Sequence, residues 1–165
     1  MNIIFIGFMG VGKGTIARAF SKKSGLYAID TDDLIESLEN RKIKNIFAED
    51  GEEYFRSLEK KTANWLEKSV NNSIISTGGG FLKQKNLKKI GLVVYLESSF
   101  DAIIKNITKH PNAKKKIKKR PLLKDIDKAK ELYDIRIEEY KKVADYTLKV
   151  ENRELKDIIE ELSLL

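Results

Sequence analysis

The 165-residue sequence contains no cysteine, which excludes disulfides and cysteine-ligated metal centres and suits a reducing cytoplasm. It has one histidine, His110, and a lone imidazole cannot assemble a histidine metal cluster. Set directly before Pro111, it reads as a turn residue rather than a catalytic one. Proline occurs twice, and no Pro/Ser-rich linker or internal repeat divides the chain, so one domain over 1–165 is expected. No apolar run approaches the roughly 20 residues of a membrane span. The first residues run straight into an apolar stretch and a glycine-rich loop, unlike a secretory leader, so a cytoplasmic protein without a membrane partner is expected. Aromatic residues make up 8% of the chain and are sparse in its most basic stretch, Lys114 to Arg120. That argues against a stacking surface for single-stranded nucleic acid. The net charge of +7 is read as a Lys-rich solvated surface, ahead of a phosphorylated substrate or nucleic acid.

Arginine is also scarce. Only Arg18, Arg41, Arg56, Arg120, Arg136 and Arg153 stand among 32 basic residues. Where lysine is the default cation, an arginine marks a place that needs a planar, bidentate fork, with Arg41 the expected exception.

What is present starts with residues 7–15, Gly7-Phe8-Met9-Gly10-Val11-Gly12-Lys13-Gly14-Thr15, directly after Ile3-Ile4-Phe5-Ile6. This is the pattern of a phosphate-binding loop. Glycines let consecutive backbone N–H groups turn inward towards an anion, and the following helix adds the positive end of its dipole. Lys13 reaches the outer phosphates. Gly10, Val11, Gly12, Lys13, Gly14 and Thr15 are the candidate nucleotide-binding residues. Gly14 departs from the pattern, which has Ser or Thr there.

Strand-like runs at Asn2–Ile6, Leu26–Ile29, Ser73–Ser76, Leu92–Leu96 and Tyr146–Val150 alternate with helical stretches. This implies an α/β fold with a parallel sheet, helices on both faces, and ligands at the carboxyl ends of the strands. Residues 31–60 and 109–123 read as excursions from that core. A helix is expected over Glu52–Ser69, with Asp50 as N-cap and Glu53 completing a capping box. Its stripe Phe55, Leu58, Thr62, Trp65, Leu66 reads as core. A last helix is expected from near Asn152, packing through Leu155, Ile158, Ile159 and Leu162.

Three further groups of residues suggest chemistry. Asp30 and Asp32 follow the second strand, and strand alternation would set them on one side. Two carboxylates there suit a hydrated Mg²⁺ and acceptance of a proton from a hydroxyl. Asp33 is assigned to capping the next helix, expected to start near Leu34. Gly78-Gly79-Gly80 ends the third strand, where glycine's main use is close approach of backbone to a ligand. Arg136 falls within an apolar helix face between Tyr133 and Tyr140, so its head either reaches the rim or meets an anion. Arg56, beside Phe55, sits where it could reach the same cleft. Lys118-Lys119-Arg120-Pro121 suggests a cationic flap over ATP.

Together these segments resemble the shikimate kinase family of small P-loop kinases over nearly the whole chain. The resemblance rests on Gly7–Thr15, Asp30-Thr31-Asp32, Phe55-Arg56, Ser76–Gly80, Arg120–Leu123 and Arg136. It implies a three-layer α/β/α fold with five parallel strands in order 2-3-1-4-5, a substrate-binding insert near 31–60 and a lid near 109–123. It implies transfer of the γ-phosphate of ATP to the 3-hydroxyl of shikimate, with Mg²⁺ as cofactor, by a monomer with no nucleic acid or membrane partner. It implies that Lys13 holds the β- and γ-phosphates, Asp30 meets the metal through water, and Asp32 binds ring hydroxyls and serves as base. Arg56 and Arg136 would clamp the carboxylate, Gly78, Gly79 and Gly80 would line the ring, and Phe47 and Phe55 would wall the pocket. Arg120 would be the lid arginine, a contribution of about a thousandfold or more in such enzymes. Asn106 stands where many relatives have Arg at the adenine, with Arg153 a substitute. Gly14 removes the usual hydroxyl ligand, so water in its place and weaker Mg²⁺ binding are expected. Another small-molecule kinase, adenylate- or gluconate-kinase-like, and a non-catalytic nucleotide-binding module are the alternatives.

Overall fold

The computed structural model describes residues 1–118 and 121–165. Among them, five strands form one all-parallel sheet: β1 (Asn2–Ile6), β2 (Tyr27–Asp30), β3 (Ser73–Ser76), β4 (Gly91–Glu97) and β5 (Tyr146–Lys149). Their order is β2-β3-β1-β4-β5, as expected. The helices, in chain order, are α1 (Lys13–Ser24), α2 (Thr31–Glu39), α3 (Ile43–Ser69), α4 (Leu87–Ile90), α5 (Phe100–Lys109), α6 (Ala113–Lys118), α7 (Ile126–Val143) and α8 (Leu155–Leu162). None of the described helices is long and apolar enough to cross a membrane.

Strand β1 shows why the sequence forms three layers. All five of its residues are buried, as a central parallel strand covered on both faces requires. Ile4 and Ile6 point to a core shared with α3, α5 and α7, whereas Ile3 and Phe5 point to a core shared with α1 and α8. Asn2 locks the strand's start. Its Nδ2 donates to the carbonyls of Val70 (2.7 Å) and Ile90 (2.9 Å), and its Oδ1 accepts from the Ser73 N–H (3.1 Å).

The excursion at 31–60 is α2 with the first part of α3. Gly51 breaks α3 with φ 83° and ψ 177°, a conformation that an L side chain strains to adopt. The expected helix start at Glu52 is therefore the start of the second segment. Ile35, Ile46, Phe55 and Leu58 give this part its own small core. Arg41, the expected exception among the arginines, uses its fork fully: it pairs with Glu39 (2.9 Å), Glu49 (2.6 Å) and Asp50. Asp50 is thereby an ion-pair partner rather than the expected N-cap.

Other boundaries shift by local chemistry. β2 runs one residue later than expected, to Asp30, and α8 begins at Leu155 rather than near Asn152. Trp65 lies at the edge of its helix stripe and is largely solvent-facing, not core, and Leu155 is likewise exposed. In the expected lid region, Ile117 and Leu123 pack against the core on the α7 side. Arg120 lies outside the described residues.

Candidate functional site

The loop after β1 opens a cavity of about 680 Å³ at the carboxyl ends of the strands. Gly10 (φ 82°) and Gly12 (φ 104°) both hold left-handed backbone, and a β-carbon at Gly10 would collide with Ile107 of α5. Gly12 is the N-cap of α1 and offers no side chain to cap it, which leaves the first turn for an anionic ligand. Lys13, almost fully buried, donates from Nζ to the carbonyls of Gly7 (2.6 Å) and Phe8 (3.1 Å), so its ammonium lies folded over the loop. Val11, Gly14 and Thr15 line the same cavity.

Asp30 caps α2. Its Oδ1 accepts from the N–H groups of Asp32 (2.9 Å) and Asp33 (3.3 Å), and its Oδ2 accepts from the Ser76 hydroxyl (3.0 Å). Capping was expected of Asp33, but α2 starts at Thr31, so the residue at the strand's end takes that part. Asp32 consequently belongs to the first helical turn, and strand alternation is not what sets its direction. It lies at the cavity with Asp30 nonetheless. Its Oδ1 is buried and has no hydrogen-bond partner among the described residues. Burial first, then the charges of Asp30 and Glu59, push the Asp32 carboxyl up to about 7 against the opposing pull of Lys13.

The three glycines after β3 each face a different functional side chain. β-Carbons at Gly78 and Gly79 would stand 2.8 Å from Asp32 Oδ1 and 3.0 Å from Arg136 Nη1, and one at Gly80 would collide with Arg56 Nη1. The segment is pinned from several sides. Thr77 Oγ1 donates to the Phe5 carbonyl (2.8 Å), the Gly78 N–H to Thr31 Oγ1 (3.2 Å), and the Tyr140 hydroxyl to the Gly79 carbonyl (2.7 Å). Arg136 is 8% exposed, so its guanidinium is enclosed rather than reaching the rim. Arg56 lies 5.5 Å from the Phe55 ring centroid, and Phe55 packs on Phe47 with centroids 4.7 Å apart. The loop, the acidic pair, the glycines and two arginines thus meet at one end of the sheet.

A shikimate kinase family model matches residues 9–164. The chain belongs to the shikimate kinase family. It is 40% identical to a shikimate kinase of Helicobacter hepaticus over 147 residues, covering 89% of this chain and 85% of that protein. It is 46% identical to one of Clostridium botulinum, covering 86% and 83%. The structure of the Acinetobacter baumannii shikimate kinase in complex with shikimate superposes with a TM-score of 0.86 at 31% identity, covering 98% of this chain and 90% of that one. That of Aquifex aeolicus gives 0.81 at 31% identity, covering 99% and 95%.

The structure adds to this shikimate kinase site a residue that the sequence reading did not single out. Glu59 is 1% exposed and accepts from Arg56 Nη1 at 2.7 Å, while Glu52 takes Arg56 Nη2 at 3.0 Å. Burial raises the Glu59 carboxyl, and the charges of Arg56 and Arg136 oppose that rise. A signal was available: Glu59 follows Arg56 by one helical turn, at the edge of the apolar stripe of Phe55, Leu58 and Thr62. At the cavity's other end stand Asn106, His110 and Arg153. Arg153 is tethered to the Lys149 carbonyl (3.1 Å), the Asp157 carbonyl (3.3 Å) and Glu161 (2.7 Å). His110 ends α5, and its Nδ1 accepts from the Asn112 N–H at 3.1 Å.

Proposed function

We propose that this chain transfers the γ-phosphoryl group of ATP to the 3-hydroxyl of shikimate, forming shikimate 3-phosphate on the route to chorismate and the aromatic amino acids. The observation that carries this reading is the packing of Gly78, Gly79 and Gly80 against Asp32, Arg136 and Arg56 in turn, beside the loop that carries Lys13. A carboxylated ring with vicinal hydroxyls matches that set: two guanidinium groups for the carboxylate and one carboxylate for the hydroxyls.

In the reaction Asp32 accepts the proton of the 3-hydroxyl as its oxygen forms a bond to the γ-phosphorus. The bond from that phosphorus to the β–γ bridging oxygen breaks, and ADP leaves. A base with a pKa of about 7 is suited to work at neutral pH. Lys13 stabilises charge on the β- and γ-phosphates, and Gly10 to Thr15 cradle the nucleotide through their backbone. Arg56 and Arg136 hold the carboxylate, with Phe47 and Phe55 walling the pocket, so that catalysis is largely positioning and charge stabilisation. Arg120 is assigned to the transferring group and Arg153 to the adenine end. Residues 31–60 act as the substrate insert and 109–123 as the lid of a single, monomeric, cytoplasmic domain.

Mg²⁺ accompanies ATP in this reading. Asp30 is the kind of oxygen donor the ion prefers, and both its oxygens already accept protein hydrogen bonds, which suits contact through metal-bound water. When bound, the ion offsets negative charge on the phosphates. A coupled ADP-release assay with and without shikimate tests the proposal. Release that requires shikimate, and is absent with AMP or gluconate, is the expected result. Release with AMP or gluconate alone, or ATP binding without turnover, overturns it.

A further inference from the structure

We propose that Arg18, beside the side-chain-free Gly14, is a phosphate-site cation that gives this chain an affinity for nucleotide independent of divalent metal. The inference rests on the nucleotide-binding part of the proposed function and goes beyond it.

Residues 14 and 18 are one turn apart on α1 and share a helix face. The general phosphate-loop pattern puts a hydroxyl at position 14, where it contacts Mg²⁺. Here a β-carbon at Gly14 would stand 3.2 Å from Arg18 Nη1 and 3.9 Å from both Cζ and Nη2. The guanidinium therefore lies beside Gly14, in close contact with the position a β-carbon would take. Both residues line the cavity together with Thr15, Asp30 and Asp32. Burial first, then Asp30 and Glu36, raise the Asp33 carboxyl, and the positive charges of Lys42 and Arg18 oppose that rise. Among the described residues, however, no carboxylate lies within ion-pair distance of Arg18, and no acceptor takes a hydrogen bond from it. Its donors are uncommitted at the cavity's rim.

A guanidinium has five N–H donors and no acceptor, so it cannot replace the hydroxyl as a metal ligand. It can do what the metal does for the phosphates, which is to neutralise their charge, and it can do so with no metal present. A β-carbon at position 14 would press on the flexible end of Arg18 and make it give by a few tenths of an ångström, whereas glycine leaves the guanidinium undisturbed.

Calorimetric titration of ADP, without shikimate, tests this in excess EDTA and in saturating Mg²⁺. The proteins are the parent, Arg18→Gln and Gly14→Ser, each checked for an unchanged melting temperature. Arg18→Gln is expected to weaken metal-free ADP about tenfold, the effect of one hydrogen bond to a charged group, and Mg–ADP by no more than about threefold. Gly14→Ser is expected to weaken metal-free ADP and to tighten Mg–ADP. Equal losses in the two conditions for Arg18→Gln, or metal-free affinity within about twofold of the parent, overturn the proposal. So does a Gly14→Ser variant that binds as the parent does in both conditions. A parent that binds ADP in neither condition refutes the nucleotide site itself, a result distinct from failure of the Arg18 assignment.

Discussion

Gly78 and Asp32 lie so close that a β-carbon on the glycine would stand 2.8 Å from the carboxylate oxygen Oδ1. The same relationship recurs at the next two positions, with Arg136 and with Arg56. The glycine run is therefore a backbone ledge against which three polar side chains rest, and its lack of side chains determines where their charged ends can be.

Gly78→Ala is expected to fold, because the obstructed atom is the end of a side chain, and to displace the Asp32 carboxylate. A shift on the order of 1 Å in a reacting group can cost about a hundredfold in rate. The expected result is kcat lowered about a hundredfold with the KM for ATP unchanged. Gly80→Ala displaces Arg56 instead and is expected to raise the KM for shikimate about tenfold while kcat changes less. Steady-state kinetics on the two variants check this division.

Asp32 also makes stability depend on pH. Its folded-state pKa of about 7 lies above the ordinary aspartate value of 3.8, so between those pH values the folded chain holds more protons than the unfolded one. Stability contributed at this site is thus lost as pH rises from about 4 through 7. Asp32→Asn carries no charge and is expected to be more stable than the parent at pH 8, by on the order of 1–3 kcal/mol, with the difference shrinking towards pH 4. Its kcat should fall by about a hundredfold to ten-thousandfold. In the parent, kcat/KM should fall about tenfold per pH unit below 7. Melting temperatures at pH 5 and 8, with a pH–rate profile, test both expectations.

The parts of the fold and site legible in the sequence are those written in local patterns. The apolar run into Gly7–Thr15 names β1, the loop and α1 together, and the alternation of runs gives the parallel sheet. Arg136 was readable as a cation on an apolar face. Asp30-Thr31-Asp32-Asp33 was readable for its carboxylates but not for its geometry, because an Asp after a strand can extend the strand or cap a helix, and here Asp30 caps. The glycine run announced close approach and was read as that of a ligand, whereas the side chains of Asp32, Arg136 and Arg56 are what approach it in the structure. Glu59 escaped because a glutamate on a charge-rich helix resembles its solvated neighbours until Arg56, Arg136 and the burial around them are in view.

Asn2 carries no chemistry at the site, yet it ties the starts of β1 and β3 and the end of α4 together through three buried hydrogen bonds. Asn2→Ala leaves the carbonyls of Val70 and Ile90 and the Ser73 N–H without that partner. A loss of about 2–4 kcal/mol is expected, since unsatisfied buried polar groups each cost about 1–3 kcal/mol and partial rehydration recovers some of it. Urea unfolding should show a lower midpoint with an unchanged m-value, while ATP affinity of the folded protein stays that of the parent.

Glu59 separates substrate positioning from nucleotide binding. It is buried, its carboxylate accepts from Arg56 Nη1 at 2.7 Å, and its charge acts on Arg136 and Asp32 as well. Glu59→Gln keeps the shape and removes the charge. The amide oxygen can still accept from Arg56 Nη1, but that bond is no longer charge-assisted and the exposed Glu52 is left as the carboxylate partner, so the guanidinium should sample more positions. The KM for shikimate is expected to rise about tenfold, the equivalent of one charge-assisted hydrogen bond, with the KM for ATP unchanged. Removing a negative neighbour should also lower the Asp32 pKa and move the acid limb of the kcat/KM profile to lower pH. A surface-only role for Glu59 would leave both the shikimate KM and that limb where they are in the parent, so measuring the two together decides the matter.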